Sequence, residues 1–405
     1  MNEIKDKIYF LKDKSECCAC GACVNICSKN AITMKEDEYG FYYPTVNLKL
    51  CVNCGLCRSV CPYKNVRGIN HPIESYAASR NDNEKILESS SGGIFAYIAE
   101  KIIAKNGVAV GCSMEYKDGG FIPMHIVVDN EEELSKLYMS KYVQSDIGYV
   151  FRKVKKFLDS GRLVLFSGTP CQVSGLKGFL KKDYDNILTI DIVCHGVPSS
   201  KMFKDYIREY ERKYKCEIKK FKFRSKEKGW KVIGQIGYID KFGKYKERTI
   251  NPDKSSYYSL FLKSHIYRNS CYSCKYASKN RPSDITIGDY WGIEEKHPQS
   301  LKENGGVLDK NKGISCVIIY TEKGKKVFYN YLNGLNIYKS SFEDIAEYNT
   351  QLIKPAESKK RRMILNVYKI FGYRAIESIF DCYLTFQSIC IKIKSIIKKL
   401  ISYKN

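Results

Sequence analysis

The chain has 405 residues, of which 44% are hydrophobic, enough for a sizeable core and for two or three domains, so a disordered protein is excluded. Its formal charge of +24 would ordinarily suggest nucleic acid or an anionic membrane. No RNP, zinc-finger or helix-turn-helix signature accompanies that charge, so no nucleic-acid partner is expected. No run reaches the roughly 18 apolar residues of a spanning helix. The opening Met1-Asn2-Glu3-Ile4-Lys5-Asp6-Lys7 has no apolar segment behind it, and the chain carries eighteen cysteines. The expectation is a cytoplasmic protein of a reducing, anoxic cell.

The first motif is Cys17-x2-Cys20-x2-Cys23-x3-Cys27, followed by Cys51-x2-Cys54-x2-Cys57-x3-Cys61-Pro62. This is the spacing of a two-cluster bacterial ferredoxin, in which three cysteines of each run hold one 4Fe–4S cube and the fourth crosses to the other. On that pattern Cys17, Cys20, Cys23 and Cys61 hold one cluster, and Cys51, Cys54, Cys57 and Cys27 hold the second. Two-residue steps let one loop wrap three corners of a cube, and thiolate is the soft ligand such iron needs. Between the runs, residues 31–46 read as a hairpin turning at Glu38-Tyr39-Gly40. Ser28 stands where proline is usual, and Cys18 is an extra thiol. Two zinc sites would be irregularly spaced in such a run, and a disulfide scaffold needs an oxidising compartment. Residues 1–66 carry nine Lys and Arg against seven Asp and Glu, so the basic excess lies downstream.

After a polar connection over residues 64–72, Glu88-Ser89-Ser90-Ser91-Gly92-Gly93 opens an apolar-periodic helix (Ile94, Phe95, Ile98, Ile102, Ile103) that Asn106-Gly107 stops. Backbone N–H groups at such a turn fit a phosphate, but on spacing alone an ordinary helix cap is the preferred reading. Strands are expected over residues 108–114 and 124–128. Lys141-Tyr142-Val143-Gln144-Ser145 precedes an amphipathic helix over 146–160 with Ile147, Val150, Phe151, Val154, Phe157 and Leu158 on one face.

Leu163-Val164-Leu165-Phe166 reads as a buried strand of a parallel sheet. It ends in Ser167-Gly168-Thr169-Pro170-Cys171-Gln172, and a helix continues to Phe179. A second buried strand, 187–193, ends in Cys194-His195-Gly196. Parallel strands joined by a helical crossover mostly lie side by side, with their carboxyl ends at the ligand-binding edge of an open sheet. Cys171 and Cys194 should therefore be neighbours on a functional rim. A helix over 201–215, a Lys- and Tyr-rich β segment turning at Phe242-Gly243, and Cys271-x2-Cys274 follow, the last before a strand over 284–289. Cys171, Cys194, Cys271 and Cys274 are the right number for a third 4Fe–4S cluster or an all-thiolate zinc site. A rival reading makes Cys171 a nucleophile, activated at a helix start, with His195 as its base. That reading leaves Cys194 and the CxxC pair without a role, and the cluster is preferred. Cys112, Cys216, Cys316, Cys382 and Cys390 read as structural. The tail from residue 359 holds eleven Lys and Arg against two Asp and Glu. Its face of Ile389, Ile393, Ile396, Ile397, Leu400 and Ile401, opposite Lys394 and Lys398, fits an anionic membrane surface or a packing helix, with packing ahead.

Past residue 85 the chain resembles the family of coenzyme F420 hydrogenase/dehydrogenase beta subunits. The residues concerned are Ser90-Ser91-Gly92-Gly93, Lys141 to Ser145, Gly168-Thr169-Pro170-Cys171-Gln172, Cys194-His195-Gly196, Cys271-x2-Cys274 and Gly288-Asp289-Tyr290-Trp291-Gly292. With a two-cluster ferredoxin in front, it looks like the bacterial branch of that family, over roughly residues 10–350. The resemblance implies a ferredoxin-like domain (1–66), then an α/β flavin-binding region with a largely parallel sheet in two parts (67–160 and 161–350), and a basic helical tail (351–405). It also implies FAD, held by Ser90, Ser91, Gly92, Gly93, Lys141, Tyr142, Gln144 and Ser145 beside the third cluster, with His195 the candidate catalytic residue. Members reduce different acceptors, a chlorophyll derivative in plants and the deazaflavin F420 in archaea. The function expected by resemblance is an oxidoreductase passing electrons from its clusters through FAD to a small-molecule substrate, exchanging electrons with a protein such as ferredoxin. The competing reading is a non-catalytic electron-transfer subunit.

Overall fold

The structure, a computed structural model, describes residues 13–65, 67–117 and 120–402, with residues 391–402 as backbone only. The chain's opening and the side chains of Ile393, Ile396, Ile397, Leu400, Ile401, Lys394 and Lys398 lie outside the described residues.

The N-terminal unit is small because its own apolar content is small. Two short helices, Ala22–Ile26 and Leu56–Ser59, lie within the two cysteine runs and carry Cys23 and Cys57, each entered through a glycine in the left-handed region (Gly21, φ 76°; Gly55, φ 73°). The strands Ile32–Glu36 and Tyr42–Val46 pair antiparallel around the expected turn, where Asp37 Oδ1 accepts from the N–H groups of Tyr39 and Phe41.

The second unit is built on one eight-stranded sheet. In spatial order its strands are Leu335–Ser340, Glu74–Arg80, Ser315–Ile319, Ile285–Asp289, Ile187–Ile192, Val164–Gly168, Val108–Lys117 and Gly120–Val128. The four strands starting at 108, 164, 187 and 285 are parallel, whereas the other pairings are antiparallel. The sheet is therefore mixed, with its parallel part at the centre, rather than largely parallel. Period-two alternation sends Ala109, Leu165, Leu188 and Ile190 to the face covered by the helix Ile94–Ile103. Val108, Val110, Val164 and Phe166 point to the opposite face, under the helices Val150–Asp159 and Pro170–Leu180.

The first of these two helices starts at Val150 rather than at Asp146. Residues 144–148 are already committed elsewhere: the Asp146 carbonyl accepts from the His125 N–H (2.8 Å), and the Asp146 N–H donates to the Pro123 carbonyl (3.1 Å).

A separate three-stranded antiparallel sheet, Cys216–Lys222, Gly234–Asp240 and Tyr245–Ile250, packs with the helix Ser200–Tyr214 and the first part of the tail in an aromatic core. The tail is helical over Arg361–Ser402, broken at Gly372 (φ 71°). Ile364, Leu365, Tyr368, Tyr373 and Ile376 are buried, and Lys213 pairs with Glu377 and Asp381. Packing thus holds this helix as far as Asp381, after which Tyr383, Phe386 and Ile389 are exposed. Among the described residues, no helix is long and apolar enough to cross a membrane.

The N-terminal unit sits on the helix Pro170–Leu180. Gly175 and Gly178 lie one turn apart there and let backbone approach: a Cβ at 175 would stand 2.7 Å from Cys20 Cβ, and one at 178 would stand 2.4 Å from the Val60 carbonyl. Arg152 fastens the same unit by donating to the carbonyls of Asn25 (2.7 Å), Cys27 (2.7 Å) and Val24 (3.2 Å) at the end of its first helix.

Candidate electron-transfer site

The carboxyl ends of the central parallel strands meet in a cavity of about 290 Å³. Its floor is Ser167 and Gly168 from one strand end, Ile192 and Val193 from the next, and Gly288 and Asp289 from the third, the place where open α/β sheets take ligands. Of the residues expected to hold a flavin, Ser90, Ser91, Gly93, Lys141, Tyr142, Gln144 and Ser145 all line it. Gly92 stands behind the wall. Its N–H donates to Ser315 Oγ (2.9 Å), and a Cβ there would come within 2.3 Å of the Ala78 carbonyl, so glycine at 92 is required by strand packing.

The Ser/Gly turn is largely occupied by the protein itself. Ser90 Oγ accepts from the Ser140 N–H (2.7 Å), and Ser91 Oγ donates to the Ile314 carbonyl (2.9 Å). Gly93 caps the helix in the left-handed conformation (φ 81°).

Lys141 is enclosed, donating to the carbonyls of Tyr138 (2.5 Å) and Lys136 (3.2 Å), and burial pushes its pKa down to about 8. Lys226, held by the Ser91 and Ile86 carbonyls, is pushed down to about 7 by burial and by Arg224. Arg224, itself buried, donates to Asp289 Oδ2 (2.8 Å) and the Ser90 carbonyl (3.2 Å). Trp230 donates to Asp289 Oδ1 (2.7 Å) and stacks on Trp291 at 4.8 Å. Lys141, Asp289 and Trp291 line the wall itself, and Arg224, Lys226 and Trp230 back it through Asp289, Ser90, Ser91 and Trp291.

Two histidines line the cavity and differ in kind. His125 has both nitrogens engaged. The Ser167 carbonyl lies 3.1 Å from Nε2 and can only accept, so Nε2 carries the proton and Nδ1 accepts from the Ser145 hydroxyl (2.9 Å). Burial lowers its pKa to about 4, so it is neutral, and Gln172 Nε2 extends the chain by donating to Ser145 Oγ (3.1 Å). His195 has no such hydrogen bond among the described residues. Burial lowers its pKa, against a pull upward from Asp289.

Behind this wall lies a smaller cavity of about 40 Å³, lined by Cys171, Cys194, Cys271 and Cys274. The crossover rule places Cys171 and Cys194 here, because their strands pair in parallel from Val164↔Ile187 to Gly168↔Asp191. Pro170 opens the helix bearing Cys171, and Gln172 Oε1 accepts from the Thr169 N–H (2.9 Å), fixing the turn. Gly196, at φ 131°, lets the next loop pass Tyr267, whose ring a Cβ would meet at 2.3 Å. Burial, then the charges of Cys271, Cys171 and Cys274, hold the Cys194 thiol far above its ordinary pKa, and burial first pushes Cys271 up to about 12. Such thiols ionise together only against a metal charge. The Cys171 thiol is also raised, through Cys18 and burial, the opposite of what a nucleophile at a helix start needs.

Arg281 supplies a second test of fit. It lines the four-cysteine cavity at 1% exposure, and among the described residues its Nε and Nη2 have no hydrogen-bond partner, with the buried Asp191 carboxylate the acidic group it acts on. Unsatisfied buried guanidinium donors match the net negative charge of a thiolate-ligated cluster.

In the N-terminal unit, burial, then Cys17, Cys61 and Cys57, raise the Cys23 thiol pKa; Cys51 and Cys54 do the same for Cys57 after burial. Cys27 Sγ accepts from the Ala31 N–H (3.3 Å). Among the described residues, no three or more His, Cys, Asp or Glu close on a point one metal ion could fill, and thiolates on the outer corners of a cube stand wider apart than that.

Cys18 lines both cavities together with Cys171, and against a downward pull from Cys171 its thiol is raised well above the ordinary range by Cys20, burial and Cys17. Sequence reading marked it only as an extra thiol. His125, Gln172, Arg224, Lys226, Arg268 and Arg281 went unassigned, because each acts through partners far away in the chain.

The family profile for the C terminus of coenzyme F420 hydrogenase/dehydrogenase beta subunits matches residues 161–344, and that for a 4Fe-4S dicluster domain matches residues 16–65. The chain carries the C-terminal region of the coenzyme F420 hydrogenase/dehydrogenase beta-subunit family over residues 161–344, preceded by a 4Fe–4S dicluster domain over residues 16–65. It is thus an iron–sulfur redox protein related to these beta subunits. It is 24% identical to the coenzyme F420-dependent sulfite reductase of Methanocaldococcus jannaschii, over 79% of this chain and 47% of that one. To an F(420)H(2) dehydrogenase subunit of Methanosarcina mazei it is 23% identical, over 54% of this chain and 66% of the other. The chain therefore spans about half to two thirds of the length of those relatives. A chain of the F420-reducing [NiFe] hydrogenase complex from Methanosarcina barkeri aligns with 77% of it and 92% of that chain, at 16% identity and a TM-score of 0.43.

Proposed function

We propose that the chain is an iron–sulfur flavoprotein oxidoreductase of the cytoplasm. In this reading Cys17, Cys20, Cys23 and Cys61 hold one 4Fe–4S cluster, and Cys51, Cys54, Cys57 and Cys27 hold a second. A third sits on Cys171, Cys194, Cys271 and Cys274, and the large cavity takes FAD. The observation that carries this is the shared wall: Cys171, Cys194 and His195 line both the four-cysteine cavity and the large one. When bound, the clusters supply one-electron transfer and the flavin interconverts single electrons and pairs.

The chain's own residues do the rest. Lys141 offers a buried cation to a diphosphate, and the Gln172–Ser145–His125 chain fixes the wall opposite. Arg224 is locked by Asp289, which also holds Trp230 against Trp291 at the rim. His195 is the candidate proton-handling group, since His125 has no free nitrogen. A small-molecule acceptor would enter over this rim.

The second reading, a subunit that hands electrons to a partner oxidoreductase, is favoured by the name of one relative, a dehydrogenase subunit. The exposed Leu48, Leu50, Val52 and Leu56 around Cys51 and Cys54 suit a docking electron-transfer protein such as a ferredoxin. The exposed Ile379, Tyr383, Phe386 and Ile389, together with the basic tail, support peripheral contact with an anionic membrane.

Denaturing the anaerobically purified protein should release about one FAD per chain, and release of no flavin contradicts the proposal. Flavin rebinding adds a test with a definite sign. With Lys141 at a pKa of about 8 in the free protein, a diphosphate beside it raises that value. Binding above pH 8 then takes up a proton, so Lys141 leaves affinity flat below pH 8 and weakens it as pH rises above 8. Lys141→Met should bind about tenfold more weakly at pH 7 and lose this slope. Fluorescence quenching titrations across that range measure both.

A further inference from the structure

Arg268 is completely buried, and among the described residues its guanidinium meets no carboxylate. Nε donates to the Cys17 carbonyl (2.6 Å), Nη2 to the Tyr42 carbonyl (2.7 Å) and Nη1 to Gln144 Oε1 (3.2 Å), while the group lies 4.1 Å from the centroid of the Tyr43 ring. All these acceptors are neutral. The titratable groups that favour its charged form when ionised are Cys17, Tyr43, Cys18 and Cys271. Its backbone is fixed as well, since its N–H donates to the Val197 carbonyl (2.9 Å) and its own carbonyl accepts from the Cys271 N–H (3.0 Å). Arg268 thus touches the loop of the first ferredoxin-type cluster, the wall of the large cavity through Gln144, and the loop that carries the CxxC pair. It also lines the four-cysteine cavity.

A lone guanidinium in such a position is costly to bury unless an anion answers it. Ion pairs elsewhere show the alternative: Arg80 faces Glu100 at 2.6 Å and Arg224 faces Asp289 at 2.8 Å. At Arg268 the place of the carboxylate is taken by two sets of cysteines, Cys17 with Cys20, Cys23 and Cys61 on one side and Cys171 with Cys194, Cys271 and Cys274 on the other. Thiolate-ligated clusters are anionic, and reduction adds one more negative charge. A fixed buried cation favours the more negative state, and it acts strongly where the dielectric is low.

We propose that Arg268 is the positioning residue that sets the reduction potentials of the two cluster sites it separates. The proposal rests on the cluster assignment made above. Removing the charge lowers both potentials, and the site of Cys51, Cys54, Cys57 and Cys27 keeps its own, because Arg268 makes no contact with that set.

The test uses the anaerobically prepared full chain, with iron counted first and the clusters then titrated potentiometrically by EPR. In Arg268→Gln, two of the three clusters should become harder to reduce by at least tenfold in equilibrium constant, which is 59 mV for one electron. Arg268→Lys keeps the charge, and its potentials should lie within threefold of the wild type. A wild type holding no cluster iron removes the assignment itself. A Gln variant with full iron and unchanged potentials overturns the role of Arg268 and leaves the assignment standing. If the Gln variant does not retain iron, the Lys variant decides: retained iron with wild-type potentials supports the proposal, and either lost iron or potentials lowered tenfold overturns it, since a merely structural arginine would show those results.

Discussion

Gly175→Ala is expected to destabilise the protein by about 2 kcal/mol, against the sign that helix propensity alone would give. In an ordinary helix interior the same change gains about 1 kcal/mol. Here the added methyl would stand 2.7 Å from Cys20 Cβ and 2.8 Å from Cys20 Sγ. Neither atom can give way easily, because Cys20 is a proposed cluster ligand, with Val60 and Ala22 packed in the same core. Overpacking of this kind costs about 1–3 kcal/mol, and it falls on the surface that seats the N-terminal unit. Denaturant unfolding under anaerobic conditions should show the lowered midpoint, and limited proteolysis should show faster cleavage in the connection over residues 64–72. A midpoint that stays or rises would mean that the two units do not dock through this helix.

The second large effect is expected at Cys271. Cys271→Ser should remove the iron of one site, about four ions, and leave about eight on the ferredoxin-type run. The geometry makes the loss selective. Cys271 shares its cavity with Cys171, Cys194 and Cys274, whereas Cys51 and Cys54 are exposed at the far end of the N-terminal unit. A serine oxygen is a harder and less acidic ligand than thiolate, so the remaining three thiols would hold a cube poorly. Reduction of the bound flavin by the ferredoxin-type clusters should fail in the same variant. Full iron content together with full turnover would contradict the assignment.

Much of this site was legible where chemistry is local. The doubled cysteine run, the hairpin turn at Glu38-Tyr39-Gly40, and the helix Ile94–Ile103 closed by Asn106-Gly107 are set by neighbours in the chain, and the structure has them there. The meeting of Cys171 and Cys194 followed from the handedness and adjacency of a crossover, a rule that needs no side-chain detail. The outer strands of the sheet were harder. Ser315–Ile319 and Leu335–Ser340 pair antiparallel with Glu74–Arg80 across gaps of more than 230 residues, and nothing in their apolar alternation distinguishes them from strands of a separate layer. By sequence the Ser90–Gly93 turn fits a phosphate or an ordinary cap; in the structure its Gly92 N–H and the Ser90 and Ser91 hydroxyls are spent on Ser315, Ser140 and Ile314. Arg268 and Arg281 left no trace in the sequence. Arg268 reaches Cys17 across 251 residues, and a lone arginine in a chain with 68 Lys and Arg looks like surface charge. Their meaning appears only once burial removes the water that would otherwise solvate them.

The central claim is that twelve of the eighteen cysteines hold three cubes, one of them against the wall of the large cavity. Iron and acid-labile sulfide, counted together with zinc on the anaerobically reconstituted full chain, test it most directly. The account predicts about twelve irons and twelve sulfides per chain. Eight of each would confine the clusters to the ferredoxin-type run and contradict the third site, and stoichiometric zinc without sulfide would contradict the whole assignment.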